Sequence, residues 1–235
     1  MTSQTSPPGS PAEPQATPGA ILDAAEWLFA EQGFERTTVQ AIGRSVGASP
    51  GLIYYYFGSK AGLYRAVLDR TIGGIARRGL AETDPAGDPA DAIRTIVRIQ
   101  AEGLLDRPHL GRLIIREMVD HQASHAEPVI RDVLADLFAR LTGVIQSGQA
   151  RGVFRSGFDP RFAALSIVSQ VAWMVTAGPA IGVLLGHGPA GPPAAVRTAF
   201  ARHAADFAVA ALAVPGRRRP ARAARGAPRA TPSTA

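Results

Sequence analysis

The chain has 235 residues, of which 46% are hydrophobic and 6% aromatic, and it contains no cysteine. This length is ample for a buried core, and the lack of cysteine excludes disulfide bonds and thiolate metal sites. The net charge of +6 comes from the segment after Pro215, which is rich in arginine and has no acid. The charge is therefore no evidence that the folded body of the protein binds nucleic acid.

Both ends of the chain have the composition of disordered segments. Residues 1–16 are rich in Pro, Ser, Thr, Gly and Gln, and they contain no basic residue or apolar run that would indicate a targeting signal. Residues 215–235 form an arginine-rich tail, which either attracts DNA without sequence preference or is simply solvated. We expect two disordered tails and a cytoplasmic protein.

The first part of the chain predicts a helix-turn-helix. Thr17-Pro18 is a typical helix start, an apolar stripe follows, and Gly33 is placed to end the helix. A second helix at about 38–46, a turn at Gly47-Ala48 and a third helix at about 49–56 follow. Ser59 is expected to cap a longer fourth helix that runs to about Leu80, and Gly73-Gly74 within it is either a hinge or a site of close packing.

The rest of the chain predicts five more helices and no strand, so the expected fold is all-α. They lie at about 90–106, 108–122, 127–151, 159–177 and 193–213. The helix at 159–177 is apolar all round and belongs to a charge-free stretch, residues 162–186, long enough to span a bilayer. Its polar residues and the break at Gly178-Pro179 favour a core helix whose second face packs on an identical helix of a partner subunit, with no membrane.

The second and third predicted helices carry the chemistry needed to read DNA. Short residues at the front of the third helix let its backbone approach the bases of the major groove, while hydroxyl groups and a cation at the rim hold phosphates. Lys60 is the only lysine of the chain and offers a compact charge for a phosphate. The predicted DNA-binding residues are Thr38, Gln40, Ser49, Pro50, Gly51, Leu52, Tyr54, Tyr56 and Lys60.

About 45 residues of this region resemble the TetR/AcrR family of bacterial transcriptional regulators. The resemblance is carried by Ile21, Leu22, Ala24, Ala25, Leu28 and Phe29, by Gly33-Phe34, Thr37-Thr38-Val39, Ile42 and Gly47, and by Gly51, Ile53-Tyr54-Tyr55-Tyr56-Phe57, Ser59-Lys60 and Leu63.

The resemblance implies a role for several of these residues. Thr38, Tyr54, Tyr56 and Lys60 match phosphate-contacting positions, and Ser49, Gly51 and Leu52 match positions that approach base edges. For Tyr55, packing in the core is an equal alternative.

The resemblance also implies an architecture and a function. A helix-turn-helix DNA-binding domain at 17–64 is joined by a linking helix to a C-terminal domain at 65–214 that binds an effector and dimerises. The expected protein is a homodimeric one-component regulator, most simply a repressor, which binds a palindromic double-stranded DNA operator and is released by an unknown small molecule. It associates with the nucleoid when it is bound to DNA.

The sequence departs from this family pattern in its charge. Between Pro18 and Leu63 the only basic residues are Arg36, Arg44 and Lys60. Since few phosphates can be neutralised, we expect the operator affinity to depend only weakly on salt.

Several polar residues fall on apolar helix faces of the C-terminal domain. Gln100, Glu117 and His121 either pair with one another or line an effector pocket with Phe138, Phe154, Trp173 and Met174.

Two other functions remain as alternatives. Glu117, His121 and His125 have the spacing of a metal site, but no fourth ligand is evident, so the sequence predicts no metal and no cofactor, with a metal-responsive sensor as an alternative. An architectural DNA-binding protein that uses the basic tail is the other. Because no nucleophile–base arrangement or phosphate-binding glycine loop is evident, we do not expect an enzyme.

Overall fold

A computed structural model describes residues 16–214. The two predicted disordered tails lie outside the described residues, apart from Ala16, which is buried. The described part of the chain is helical, as predicted, and its one β-type pairing is an isolated bridge between Phe154 and Ala213.

The helices follow the predicted order. They are α1 (Pro18–Arg36), α2 (Val39–Val46), α3 (Pro50–Phe57), α4 (Lys60–Leu68, Asp69–Gly73 and Gly74–Glu82 in succession), α5 (Pro89–Leu105), α6 (His109–Asp120), α7 (Glu127–Val129, Ile130–Leu134 and Ala135–Ala150), α8 (Pro160–Thr176), α9 (Gly178–Leu184) and α10 (Ala194–Leu212). The middle segments of α4 and α7 are turns of π-helix.

Local capping defines the helices of the N-terminal domain. The hydroxyls of Thr17, Thr38, Ser49 and Ser59 each accept a backbone N–H three residues on, which satisfies one of the free donors at a helix start. The backbone of α1 leaves the helical conformation at Gly33, where φ is 81°, and then returns to it for one short turn that ends at Arg36. The caps at Thr17 and Ser59 and the break at Gly33 agree with the sequence-based expectation, the cap of α2 is Thr38 where Thr37 was an equal candidate, and the cap at Ser49 was not predicted.

The C-terminal domain is built around α5, which packs against α4, α7, α8 and α10. The buried side of α5 consists of aliphatic residues, including Ile93, Ile96 and Val97. Helix α6 packs between α1 and α8, so it lies at the junction of the two domains. Both domains contribute to one continuous hydrophobic core.

Helix α8 has one buried side and one exposed apolar side. Ile167 and Val171 are buried, while Phe162, Leu165 and Trp173 on the other side are exposed. In the part of the chain that the structure describes, no single helix combines the length and apolar composition needed to cross a membrane. The pair α8 and α9 has them only together, and it is bent by 85°.

One local feature differs from the predictions, and a second bears on the two alternatives left open for Gly73-Gly74. Gly178-Pro179 ends α8 but also begins α9, a helix that was not predicted, because proline is compatible with the first turn of a new helix. The hinge proposed at Gly73-Gly74 lies at a π-turn, where a Cβ on Gly73 would be 2.8 Å from Asp69 Oδ1. Gly74 has no atom within 4 Å of such a Cβ, so only Gly73 is closely packed.

Replacing Gly43 by alanine is expected to destabilise the helix-turn-helix strongly. A Cβ at this position would lie 2.4 Å from the carbonyl oxygen of Ala48. This backbone atom has little freedom to move away, because the N–H of Ala48 donates to Gly43 O at 2.9 Å. We expect a loss of about 3 kcal/mol in the free energy of unfolding. Thermal unfolding measures it, with Gly74→Ala as the matched control, which should be neutral or slightly stabilising. Equal effects of the two substitutions would contradict this account.

Candidate nucleic-acid interface

The third helix presents a row of exposed tyrosines. Ile53 is buried and anchors α3 to the core, whereas Tyr54, Tyr55 and Tyr56 are 46%, 81% and 41% exposed. The rings of Tyr55 and Tyr56 contact each other edge to face at 5.3 Å. Tyr55 is therefore not a core residue, and all three phenol groups are free to meet a ligand on the surface.

The capping hydroxyls keep a hydrogen for a second partner. Thr38 Oγ1 accepts from Ala41 N–H at 3.1 Å, and Ser49 Oγ accepts from Leu52 N–H at 3.2 Å. A hydroxyl that accepts one bond still donates its own hydrogen, so both can hold the helix start and a phosphate at the same time. Thr38 and Ser49 are exposed.

The remaining predicted DNA-binding residues are all exposed or partly exposed. Gln40 and Gly51 are exposed, and Pro50 and Leu52 are partly exposed at the start of α3. Lys60 Nζ donates to Glu35 O at 3.3 Å and lies 4.3 Å above the ring of Phe34. These contacts hold the ammonium group against the end of α1, with two of its three hydrogens available for a phosphate.

The seven predicted effector residues do not surround one cavity. Trp173 is 64% exposed, whereas Phe154 is buried against Gly148 and pairs with Ala213. Gln100 Nε2 donates to Val168 O at 2.8 Å. Glu117 and His121 lie at the contact with the N-terminal domain, Phe138 is partly buried on α7, and Met174 is buried on α8.

The structure shows a different cavity, of about 400 Å³, beside α6, α8 and α9. Of the seven predicted residues, only Met174 lines it. Its walls combine apolar side chains with three arginines: Arg112, Arg116 and Arg197. The Nε of Arg197 is buried without a hydrogen-bond partner, while its Nη1 donates to Pro192 O at 2.8 Å.

Two of the cavity arginines also reach the N-terminal domain. Arg112 pairs with the carboxylate of Glu31 on α1, and Arg116 Nη2 donates to the carbonyl oxygen of the same residue at 3.4 Å. One wall of the cavity is thus connected directly to α1.

A buried carboxylate, Glu26, forms a second connection between the domains, which the sequence analysis missed. Its side chain is 3% exposed and pairs with Arg107, with Arg70 at 3.3 Å and with His109 Nε2 at 2.6 Å. These partners come from the start of α6, the loop before it and the π-turn of α4. They are 44 to 83 residues away in sequence, so no local pattern identifies them.

Tyr64 lies on α4 at the contact with α6, and its ring is buried against Phe29 and Phe34. Burial, and next the negative charge of the nearby Glu117, raises the pKa of Tyr64 well above its ordinary value. The hydroxyl is therefore protonated at neutral pH and can act as a hydrogen-bond donor at the junction.

Comparison with known proteins accounts for both halves of the chain. The domain family described as "Bacterial regulatory proteins, tetR family" matches residues 21–67, and the "Tetracyclin repressor-like, C-terminal domain" matches residues 89–207. The chain is 28% identical over 151 residues to the HTH-type transcriptional repressor NicS of Pseudomonas putida, covering 63% of this chain and 71% of NicS.

Two further similarities extend over most of the chain. The HTH-type transcriptional repressor KstR2 of Rhodococcus jostii is 26% identical over 155 residues, covering 66% of this chain and 75% of KstR2. A solved tetR-family regulatory protein from Rhodococcus has the same fold, with a TM-score of 0.66 and 22% identity, covering 83% of this chain and 96% of that one. The chain therefore belongs to the TetR family of bacterial regulatory proteins, and it is a ligand-responsive transcriptional repressor of that family.

Proposed function

We propose that this protein binds a palindromic operator as a homodimer and acts as a repressor. The observation that carries the proposal is the exposed row of tyrosines on α3, together with the two capping hydroxyls and Lys60 at the start of α4. Tyr54, Tyr56, Lys60 and Thr38 hold phosphates, while Ser49, Gly51 and Leu52 at the start of α3 approach the base edges, with Gln40 and Pro50 beside them. The protein has no catalytic role and acts on the chromosome in the cytoplasm.

The homodimer forms through the exposed apolar side of α8. Phe162, Leu165 and Trp173 lie three and eight residues apart, a spacing that places them along one side of a helix. Phe207 of α10 lines the same surface cavity as Phe162 and extends the apolar surface. A contiguous apolar surface of this kind is typical of an interface, and a two-fold axis would pair α8 with its copy.

The effector is a small molecule with an apolar body and an anionic group, bound in the cavity beside α6. Arg112, Arg116 and Arg197 supply the positive charge, and the buried Nε of Arg197 offers an unused donor. An anion on Arg112 competes with Glu31 for the same guanidinium and so weakens a connection to α1. The effector releases DNA because its affinity differs between the DNA-bound and free conformations.

Selection of genomic DNA fragments by the purified protein tests the proposal. We expect a few fragments that share an inverted repeat, with half-sites about 34–36 Å apart or a multiple of it. A Tyr54→Ala/Lys60→Ala variant should lose roughly 100-fold or more in operator affinity, since each hydrogen bond to a charged phosphate contributes about 1.5–3 kcal/mol. Lys60→Ala alone should also reduce the salt slope by about one.

A chain truncated at Pro215 is the control for the arginine-rich tail. It should select the same fragments as the full chain. Unselective recovery that disappears with the tail would instead support an architectural DNA-binding protein and contradict the operator-specific repressor.

A further inference from the structure

Three potential metal ligands converge at the junction of the two domains. Glu117 and His121 are four residues apart at the end of α6 and so share a face, and the following loop folds His125 back toward them. The folding-back uses two consecutive residues with positive φ, Gln122 at 50° and Ala123 at 62°. The ligand atoms of the three side chains all lie within 4.8 Å of one another.

The carboxylate of Glu117 is buried, and only one of its two oxygens has hydrogen-bond partners. Its Oε1 accepts the backbone N–H groups of His125 at 2.8 Å and Ala126 at 3.0 Å, which fixes the orientation of the group. Its Oε2 has no hydrogen-bond partner, and neither has His125 Nδ1, which lies 3.4 Å from it. The side chain of Glu117 is 0% exposed, so bulk solvent does not reach the free oxygen.

We propose that Glu117, His121 and His125 bind a divalent transition-metal ion, of which Zn²⁺ is the representative. Two imidazoles and a carboxylate are a donor set that suits zinc and similar ions, and the ligand atoms around a tetrahedral zinc lie roughly 3.4 Å apart. The site closes by small side-chain rotations, with the backbone amides already orienting the carboxylate as an outer shell. Three protein ligands leave a fourth position open.

The site has a route to solvent on one side. His125 also lines a surface cavity of about 280 Å³, together with Arg65, Asp69 and Asp132. Asp69 pairs with Arg77 and Asp132 with Arg131, so the cavity provides access to the site and not a net negative charge. The two histidines are themselves only partly buried.

On its other side the site contacts the DNA-binding domain. The ring of Phe34 lies 5.6 Å from the ring of His121 and 4.7 Å from that of His125. The ammonium group of Lys60 lies over the same Phe34 ring. Tyr64 lies 5.2 Å from His125. The metal would therefore order the loop of α6 against the residues that position Lys60. The proposal does not depend on the effector cavity described above.

Metal binding by the untagged full chain tests the proposal. After removal of metal with a chelator, we expect one Zn²⁺ per chain by competition with a chromophoric chelator, and a rise in Tm of about 5 °C with excess Zn²⁺. Co²⁺ should give visible absorption bands typical of a four- or five-coordinate site. A His121→Gln/His125→Gln variant should bind Zn²⁺ at least about 100-fold more weakly, whereas His187→Gln, at an exposed loop position, should bind it normally.

Two outcomes would overturn the site. One is a wild-type chain that takes up no stoichiometric Zn²⁺ or Co²⁺. The other is a folded His121→Gln/His125→Gln variant that binds as tightly as the wild type. If that variant does not fold, Glu117→Gln replaces it, because its amide oxygen still accepts the two backbone N–H groups. Circular dichroism of the metal-free proteins checks the fold, and unchanged binding by Glu117→Gln then also contradicts the proposal.

Discussion

A Trp173→Arg variant is expected to be a folded monomer with little operator affinity. In a two-fold symmetric interface the new arginine would face its own copy or near neighbours, so each dimer would bury two like charges. We expect the dimer dissociation constant to rise at least about 100-fold. Because one subunit reads one half-site, operator affinity should fall by about 10³-fold, toward non-specific strength. Sedimentation and operator titration measure the two effects.

The second tryptophan of the chain provides the control for this variant. Trp27 is 55% exposed, close to the 64% of Trp173, but it lies on α1, whose main neighbours are α2, α3, α4 and α6. Trp27→Arg should leave the oligomeric state unchanged. If Trp173→Arg is folded and still dimeric at the same concentration, the assignment of the interface to α8 is wrong.

A Glu26→Ala variant is expected to lose about 3 kcal/mol of folding free energy. The substitution leaves Arg70, Arg107 and His109 grouped around an empty position without their shared carboxylate, which is the costly way to break a buried ion cluster. For a chain of this length the loss corresponds to a fall in Tm of roughly 6–12 °C. Thermal unfolding at constant protein concentration measures it.

Glu31 on the same helix is the matched control. It also pairs with an arginine of α6, but its side chain is 35% exposed and that of Arg112 is 51% exposed. Because solvent screens an exposed pair, Glu31→Ala should cost no more than about 1 kcal/mol. If Glu26→Ala were no more damaging than Glu31→Ala, the Glu26 cluster would not be a stabilising connection between the domains.

Features that depend on neighbouring residues could be predicted from the sequence. The caps at Thr17, Thr38, Ser49 and Ser59 need only a backbone N–H three residues away, and the apolar stripes follow from the helical repeat. The exposed side of α8 was also expected, because a helix that is apolar all round has more apolar surface than one core can cover.

Features that depend on how helices meet could not be predicted. Trp173 on α8 and Phe154 in the segment after α7 are both large apolar residues, yet one is exposed and the other is packed against Gly148. Their positions depend on the relative rotation and tilt of α8 and its neighbours, which the spacing of apolar residues does not specify. Likewise, the sequence around Glu26 is that of an ordinary solvated acidic residue, because its three partners are distant in the chain.

The π-turn at Asp69–Gly73 affects the orientation of the DNA-binding domain, and so of α3, relative to the C-terminal domain. Such a turn accommodates one extra residue, which rotates the part of α4 after it by about 100° relative to an uninterrupted α-helix. The buried hydroxyl of Thr71 donates to Val67 O at 2.8 Å and Leu68 O at 3.2 Å, carbonyls at the start of this irregular turn. In the proposed dimer, deleting one residue of this turn would therefore rotate each DNA-binding domain by about 100° relative to the dimer interface. The two α3 helices would then no longer face successive major grooves, although each DNA-binding domain would stay folded.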